Sequence, residues 1–294
     1  MLIKRIATVL VLLPVVGWLL FMASLSYFTI GISFVILLAG WEWSRLMGLT
    51  ELSSRFIYLI VLQLIMIAIL WLVPDIEFWP GAPEPQSLTQ WLNIRYLPLW
   101  ILSAGVIWWL VCLVSLLSGK ANWLAGPDLL WARAIAGLLI LLPCWIALIS
   151  IRAIDILQSS LAGSWLLLFV LLQIWSADTG AYFSGKSFGK HKLAASVSPK
   201  KTWEGVLGGA ILALIVAIFT ATPFGLELSL TSIIIISLIL ILVSIVGDLT
   251  ESIYKRQQQI KDSSHLLPGH GGILDRIDSI TSAVPVFAFI LYWL

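Results

Sequence analysis

The amino-acid sequence predicts an all-α, polytopic integral membrane protein with about nine transmembrane helices and a cytoplasmic N-terminus. Three observations predict it. Of the 294 residues, 60% are hydrophobic and 11% charged, against about 25% charged in a soluble domain. The apolar residues fall in runs close to the roughly 20 residues that a helix needs to cross a bilayer. Lysine and arginine are shared very unevenly between alternate connections, as the positive charge of cytoplasmic loops requires. A net charge of +2 gives no reason to expect a nucleic-acid partner.

The first run, 6–24, follows Lys4 and Arg5 as a signal peptide would. It is long for the apolar part of one, and no A-x-A cleavage site follows, so a helix is favoured over a cleaved leader. Run 27–46 closes on Trp41 and Trp43, and run 56–73 precedes an acidic, proline-rich loop. Runs 97–117 and 131–150 hold Cys112 and Cys144. With no CxxC pair, both are read as small core residues and not as a zinc site or a disulfide. Runs 163–183 and 230–247 end in polar residues, and runs 204–221 and 277–294 complete the set. Several runs contain Gly or Pro, which membrane helices tolerate.

If these helices alternate from a cytoplasmic N-terminus, fifteen Lys and Arg fall on the cytoplasmic side, and only Arg95 and Arg152 on the other. The loop 74–96, with Asp75, Glu77 and Glu84, falls outside. Trp41, Trp43, Trp79, Trp91 and Trp123 lie near run boundaries, where indole rings favour the interface. Polar residues concentrate beyond residue 176, which divides the chain into a transmembrane scaffold, 1–160, and a catalytic half with two cytoplasmic loops, 161–294.

Three polar stretches carry the chemistry. In GDLTESIYKR, Asp248, Glu251, Ser252, Lys255 and Arg256 recur at i, i+3, i+4, i+7 and i+8, one face of a helix that continues past the apolar run. Ordinary ion pairs at a solvated helix end would use the same spacing. Yet Asp248 directly follows the run IIIISLILILVSIVG, and a carboxylate at that depth needs a cation. PGHGG, residues 268–272, breaks the chain, and ILDRIDS opens the last helix with Asp275, Asp278 and Ser279 on one face. Favourable interaction with the helix dipole accounts for acids there, but not for His270 or for Gly271 and Gly272, whose backbone N–H groups can approach an anion. Asp248, Asp275 and Asp278, with Glu251, are expected to form one acidic cluster suited to Mg²⁺.

The third stretch, WSADTGAYFSGKSFGKHKLAASVSPKKTWEG, places Asp178 at the end of an apolar run and Lys186, Lys190, Lys192, Lys200 and Lys201 beyond it. A lipid-headgroup patch is one reading of those lysines. Ser198, Lys200, Lys201 and Thr202 also offer donors to phosphate oxygens. TGAYFSGKSFGK is not read as a Walker A loop. Carboxylates for Mg²⁺ together with cations for phosphates are the parts of phosphoryl or nucleotidyl transfer, here at a membrane boundary where a soluble phosphate donor meets a lipid acceptor.

At these residues the chain resembles the phosphatidate cytidylyltransferases, or CDP-diacylglycerol synthases. The family pattern S-x-x-K-R-x4-K-D followed by P-x-H-G-G-x-x-D-R-x-D reads here as Ser252, Lys255, Arg256, Lys261, Asp262, Pro268, His270, Gly271, Gly272, Asp275, Arg276 and Asp278. GDLTES, the stretch from Asp178 to Gly205 and, less specifically, WEWSRLMGL near residue 41 are similar to family blocks. Tyr254 and the DSSH after Lys261 depart from the commoner residues. The resemblance implies that CTP and phosphatidic acid are converted to CDP-diacylglycerol and pyrophosphate, in phospholipid biosynthesis, by a homodimer; the charge bias points to a bacterial inner membrane with the active site facing the cytoplasm. It implies Mg²⁺, with a second cation such as K⁺. The metal ligands are then Asp248, Asp275 and Asp278, supported by Glu251 and Ser252. Lys200, Lys201, Lys255, Arg256 and Arg276 would neutralise phosphates, with Ser198, Thr202, Lys261, His270, Gly271, Gly272 and Asp178 completing the substrate site. The alternatives are a transporter of an anionic metabolite built on broken helices, or a related transferase acting on another lipid phosphate.

Overall fold

A computed structural model describes residues 2–73, 96–119, 129–154 and 161–293. Most of the acidic loop 74–96 lies outside these residues, as do Trp79, Trp91, Arg95, Lys120 and Trp123 and the side chains of Lys4 and Arg5. The described chain forms nine α-helices: α1 Leu2–Phe21, α2 Leu25–Leu46, α3 Leu52–Leu72, α4 Leu97–Leu117, α5 Leu130–Arg152, α6 Ala162–Phe188, α7 Trp203–Thr220, α8 Leu230–Gln257 and α9 Leu274–Tyr292. Each coincides with one predicted apolar run. Seven of them, α2 to α8, are long and apolar enough to cross a membrane by length and composition alone. In α9, Asp275, Arg276 and Asp278 occupy the first turns and interrupt the apolar stretch. The protein is an all-α polytopic membrane protein.

The core follows from which helices are apolar on every side. In α5, 72% of the most apolar stretch is buried, against 22% in α3 and α7, so α5 is the central helix and the other two face outward. Trp145 of α5, Phe28 and Trp43 of α2, Phe169 of α6, Tyr254 of α8 and Phe287 of α9 are its largest fully buried side chains. Cys112 and Cys144 are buried among them. The Trp43 and Tyr254 rings meet at 4.7 Å, and the Trp43 indole donates to the Arg133 carbonyl at 2.9 Å.

Helix ends assigned by the charge count to one side do meet in space. The C-terminal end of α2 touches the start of α5 through Arg133 and the Met47 carbonyl. At the other ends, the Arg152 guanidinium donates to the carbonyl of Ala23, and Ser164 to that of Leu20.

Two helices overrun the bilayer. At 1.5 Å per residue, α8 is about 42 Å long, some 12 Å more than a hydrocarbon core of about 30 Å. The surplus is its polar end, from Asp248 to Gln257, the last of its 28 residues. The 27-residue α6 does the same beyond Asp178. Its predicted end at 183 is therefore too early: the hydrogen-bonded ladder runs on to Phe188 although Thr179, Gly180 and Gly185 are weak helix formers, because this end is held by close packing against α7.

The long basic loop is also more ordered than predicted. Lys192–Ala194 (β1) and Ser198–Thr202 (β2) pair as an antiparallel hairpin, with Lys192 opposite Thr202 and Ala194 opposite Ser198. Glu204, in the first turn of α7, accepts the backbone N–H groups of Lys190 and His191 and the His191 imidazole at 2.6 Å. That ties the end of α6 to the start of α7. The two helices pack backbone to backbone: a Cβ on Gly209 would lie 2.5 Å from the Ala177 carbonyl oxygen. Gly205 and Gly209 have the small-xxx-small spacing that permits such an approach.

Candidate active site

The hairpin, the second half of α6, the start of α7, the stretch of α8 just before Asp248 and Ser279 of α9 line a cavity of about 220 Å³. Asp178, Lys200, Lys201, Thr202, Ser244 and Ser279 supply its polar lining. Tyr182, Val206, Ile241 and Ile245 supply apolar walls. Lys201 crosses from β2 to α8 and pairs with the Asp248 carboxylate at 2.5 Å. The charges of Asp248, Lys201 and Arg276 all act on Asp178. The cavity and the acidic end of α8 therefore form one continuous site.

Sequence spacing put five polar side chains on one face of α8, and the structure joins four of them in two pairs. The Ser252 hydroxyl donates to Asp248 at 3.3 Å. Glu251 is buried, with Lys255 Nζ 3.4 Å from its carboxylate and the Asp278 carboxyl beside it. Neither Glu251 oxygen accepts a hydrogen bond among the described residues. Asp278 in turn lies within electrostatic reach of Asp248 and accepts the Ser279 N–H at 2.7 Å. Gly247 lets α9 come this close, since a Cβ there would stand 2.6 Å from the Asp278 carbonyl.

Asp275 stands at the edge of this group. Its Oδ1 accepts the Lys255 ammonium at 2.8 Å. Its Oδ2 accepts the N–H of Gly272 at 2.7 Å and the N–H and hydroxyl of Ser263, both at 2.9 Å. Burial alone would raise its pKa; the Lys255 ammonium and the N–H groups of Gly272 and Ser263 outweigh burial and hold it below the usual carboxylate value. The expected cluster of Asp248, Asp275 and Asp278 is thus divided: Asp248, Glu251 and Asp278 lie together, and Asp275, whose charge also acts on Glu251, is tied to them by Lys255. The i, i+3 spacing of Asp275 and Asp278 is real, but the loop before α9 turns the first carboxylate toward itself.

Lys255 and Arg256 are also engaged within the protein. Lys255 is 12% exposed between Glu251 and Asp275. Arg256 donates to the Val197 carbonyl at 3.3 Å and holds the turn of the hairpin. Thr202 caps α7, accepting the Gly205 N–H at 3.1 Å. Lys200 and Arg276 are exposed near the cavity, while Lys261 is exposed on the loop that follows α8. His270 is half-buried, with its Nδ1 unpartnered. Gly271 has φ +88°, which favours glycine. Gly180, Gly185, Lys186 and Ser187 do have the G-x-x-x-x-G-K-[ST] spacing, so spacing alone does not exclude a phosphate loop. The structure does, because all of these residues lie inside α6 and a P-loop needs backbone N–H groups outside a helix.

One site residue went unrecognised in the sequence. Glu42 of α2 is fully buried, and its carboxylate accepts the N–H groups of Ile273 at 3.0 Å and Leu274 at 2.6 Å. It lies in the WEWSRLMGL block, and a lone carboxylate among tryptophans near a run's end was the available signal.

Three carboxylates, Asp248, Glu251 and Asp278, face two ammonium groups, Lys201 and Lys255, and Asp275 shares the second. Among the described residues no three His, Cys, Asp or Glu side chains are grouped so as to hold a metal ion by themselves. Mg²⁺ typically takes one or two carboxylates and completes its shell with water and substrate phosphates. The excess of carboxylates over ammonium groups, with Glu251 held only by a 3.4 Å ion pair to Lys255, fits such an ion.

The model of the cytidylyltransferase family matches residues 3–294. A Pseudomonas aeruginosa protein named phosphatidate cytidylyltransferase is 40% identical over 295 residues, covering 99% of this chain and 97% of its own. One of the same name from Haemophilus influenzae is 35% identical over 300 residues, covering 100% and 99%. A Bacillus subtilis protein, also so named, is 45% identical over 123 residues, or 42% of this chain and 46% of its own.

Proposed function

The chain belongs to the cytidylyltransferase family, and from that premise we infer that it converts CTP and phosphatidate to CDP-diacylglycerol and pyrophosphate. An oxygen of the phosphatidate monoester attacks the α-phosphorus of CTP in line, and the bond to the β-phosphate oxygen breaks. The acceptor is already a nucleophile, so the protein's task is to bring two anions together and stabilise the leaving pyrophosphate. The observation that carries this reading is the cavity lined by Asp178, Lys200 and Lys201, from which Lys201 reaches the Asp248 carboxylate of α8.

Lys200, Lys201 and the exposed Arg276 hold and neutralise phosphates in this scheme, and Ser198 and Lys261 border that basic surface. Asp248 and Asp278, with Glu251 and Ser252 beside them, hold Mg²⁺. Such an ion supplies charge neutralisation across the phosphates and polarises the phosphoryl oxygens. A second cation such as K⁺ is part of the same proposal. Lys255 fixes Glu251 and Asp275 in place, and Arg256 keeps the hairpin over the cavity. Val206, Ile241 and Ile245 give the cavity an apolar wall beside its charged one.

The finer reading is a homodimer in a bacterial inner membrane, with the cavity facing the cytoplasm. The charge asymmetry between alternate loops supports the orientation, and the family resemblance supports the dimer. The charged site residues gather at helix ends on one side, whereas a transport path through broken helices needs them at mid-span.

Purified protein in detergent, given CTP, phosphatidate and Mg²⁺, is expected to form CDP-diacylglycerol and pyrophosphate one for one. Absence of both products from monodisperse protein would refute the proposal.

A further inference from the structure

We propose that Glu42 is a positioning residue for cytidylyl transfer: from the scaffold half of the chain it sets the start of α9, and through it Arg276 and Asp278. The inference rests on the functional reading above.

Glu42 joins parts of the chain more than 220 residues apart. Its Oε1 accepts the Ser264 hydroxyl at 2.5 Å and the Ile273 N–H at 3.0 Å. Its Oε2 accepts the Ser263 hydroxyl at 3.0 Å and the Leu274 N–H at 2.6 Å. The first N–H groups of a helix have no partner within it, so this carboxylate caps α9 from another helix. Ser263 continues the connection. Its hydroxyl lies between Glu42 and Asp275 and, having one proton, donates to one of them at a time. Asp275 then holds Lys255, and Lys255 holds Glu251 beside Asp278. The junction has no spare room: a Cβ on Gly272 would fall 2.0 Å from the Ser263 hydroxyl oxygen and 2.6 Å from both Glu42 oxygens.

Both oxygens of Glu42 face a backbone N–H. Glutamine has the same shape but only one acceptor. Whichever way its amide turns, its NH₂ faces either Ile273 N–H or Leu274 N–H, donor against donor. Glu42→Gln therefore disturbs the start of α9 without opening a cavity. Lys200 and Lys201, two of the three phosphate-binding cations, stand on the hairpin away from this junction, so most of the hold on CTP is kept although Arg276 moves with α9.

The test compares wild type, Glu42→Gln, Glu42→Asp and Ser263→Ala as purified, monodisperse protein in detergent. CDP-diacylglycerol formation is normalised to folded protein. A displacement of about 1 Å at a reacting centre can cost on the order of 10²-fold. Glu42→Gln is expected to lower kcat at least about tenfold, with the KM for CTP changed by less than about threefold. Glu42→Asp, which restores two acceptors, recovers part of kcat. Glu42→Gln combined with Ser263→Ala loses less than the product of the single losses, as one connected network requires. A kcat for Glu42→Gln within twofold of wild type, or a loss carried wholly by the KM for CTP, would overturn the proposal. Wild-type protein that forms no CDP-diacylglycerol refutes the functional reading itself, a separate outcome in the same assay.

Discussion

Replacing Lys255 by methionine separates its place in this structure from the role expected of a phosphate ligand. The ammonium lies 2.8 Å from Asp275 and 3.4 Å from Glu251, and the three side chains are 12%, 4% and 5% exposed. Methionine keeps the packing volume but leaves two buried carboxylates without their cation. Removing one member of a buried ion pair costs about 3–5 kcal/mol, against about 0–1 kcal/mol for an exposed pair. At roughly 2–4 °C per kcal/mol in a chain of this order of size, Lys255→Met lowers Tm by about 6–20 °C. The exposed Lys200→Met serves as control and shifts Tm by less than about 2 °C. Thermal unfolding of the detergent-solubilised protein, with no CTP present, reads both. A Lys255→Met protein as stable as wild type, impaired only in its response to CTP, would show that Lys255 serves substrate and not the fold.

The other site residues give different signatures. Asp248→Asn and Asp278→Asn each remove a carboxylate from the proposed cation site, and CTP-dependent pyrophosphate release should fall at least about 10²-fold while monodispersity is kept; turnover near wild type would remove them from the reaction. Lys200→Ala with Lys201→Ala weakens the grip on triphosphate, so the KM for CTP should rise before kcat falls, as initial rates over a range of CTP concentrations will show.

The helices were legible because a membrane imposes a length and a composition on every span. The continuation of α8 was legible too, since Asp248, Glu251, Ser252, Lys255 and Arg256 keep the helical period past the last apolar residue. The hairpin at 192–202 was not. Its strands are three and five residues long, and β2 carries two lysines within SPKKT, so neither alternation nor β-branched residues mark them. Helical spacing placed Asp275 beside Asp278 but said nothing of the loop donors, Ser263 and Gly272, that claim its carboxylate. Glu42 was the hardest to read, because its partners at Ser263, Ser264, Ile273 and Leu274 are defined only by the tertiary fold. Periodicity reports on single elements; the residues that join elements need the distances between them.

The central claim is that carboxylates at the meeting of α8 and α9 hold a divalent cation beside the phosphate-binding lysines. Mn²⁺, which can be followed by electron paramagnetic resonance, tests it directly on the purified protein with CTP present and without turnover. Wild type is predicted to bind Mn²⁺, and Asp248→Asn and Asp278→Asn to bind it at least about tenfold more weakly. Equal Mn²⁺ affinity in all three proteins would contradict the account.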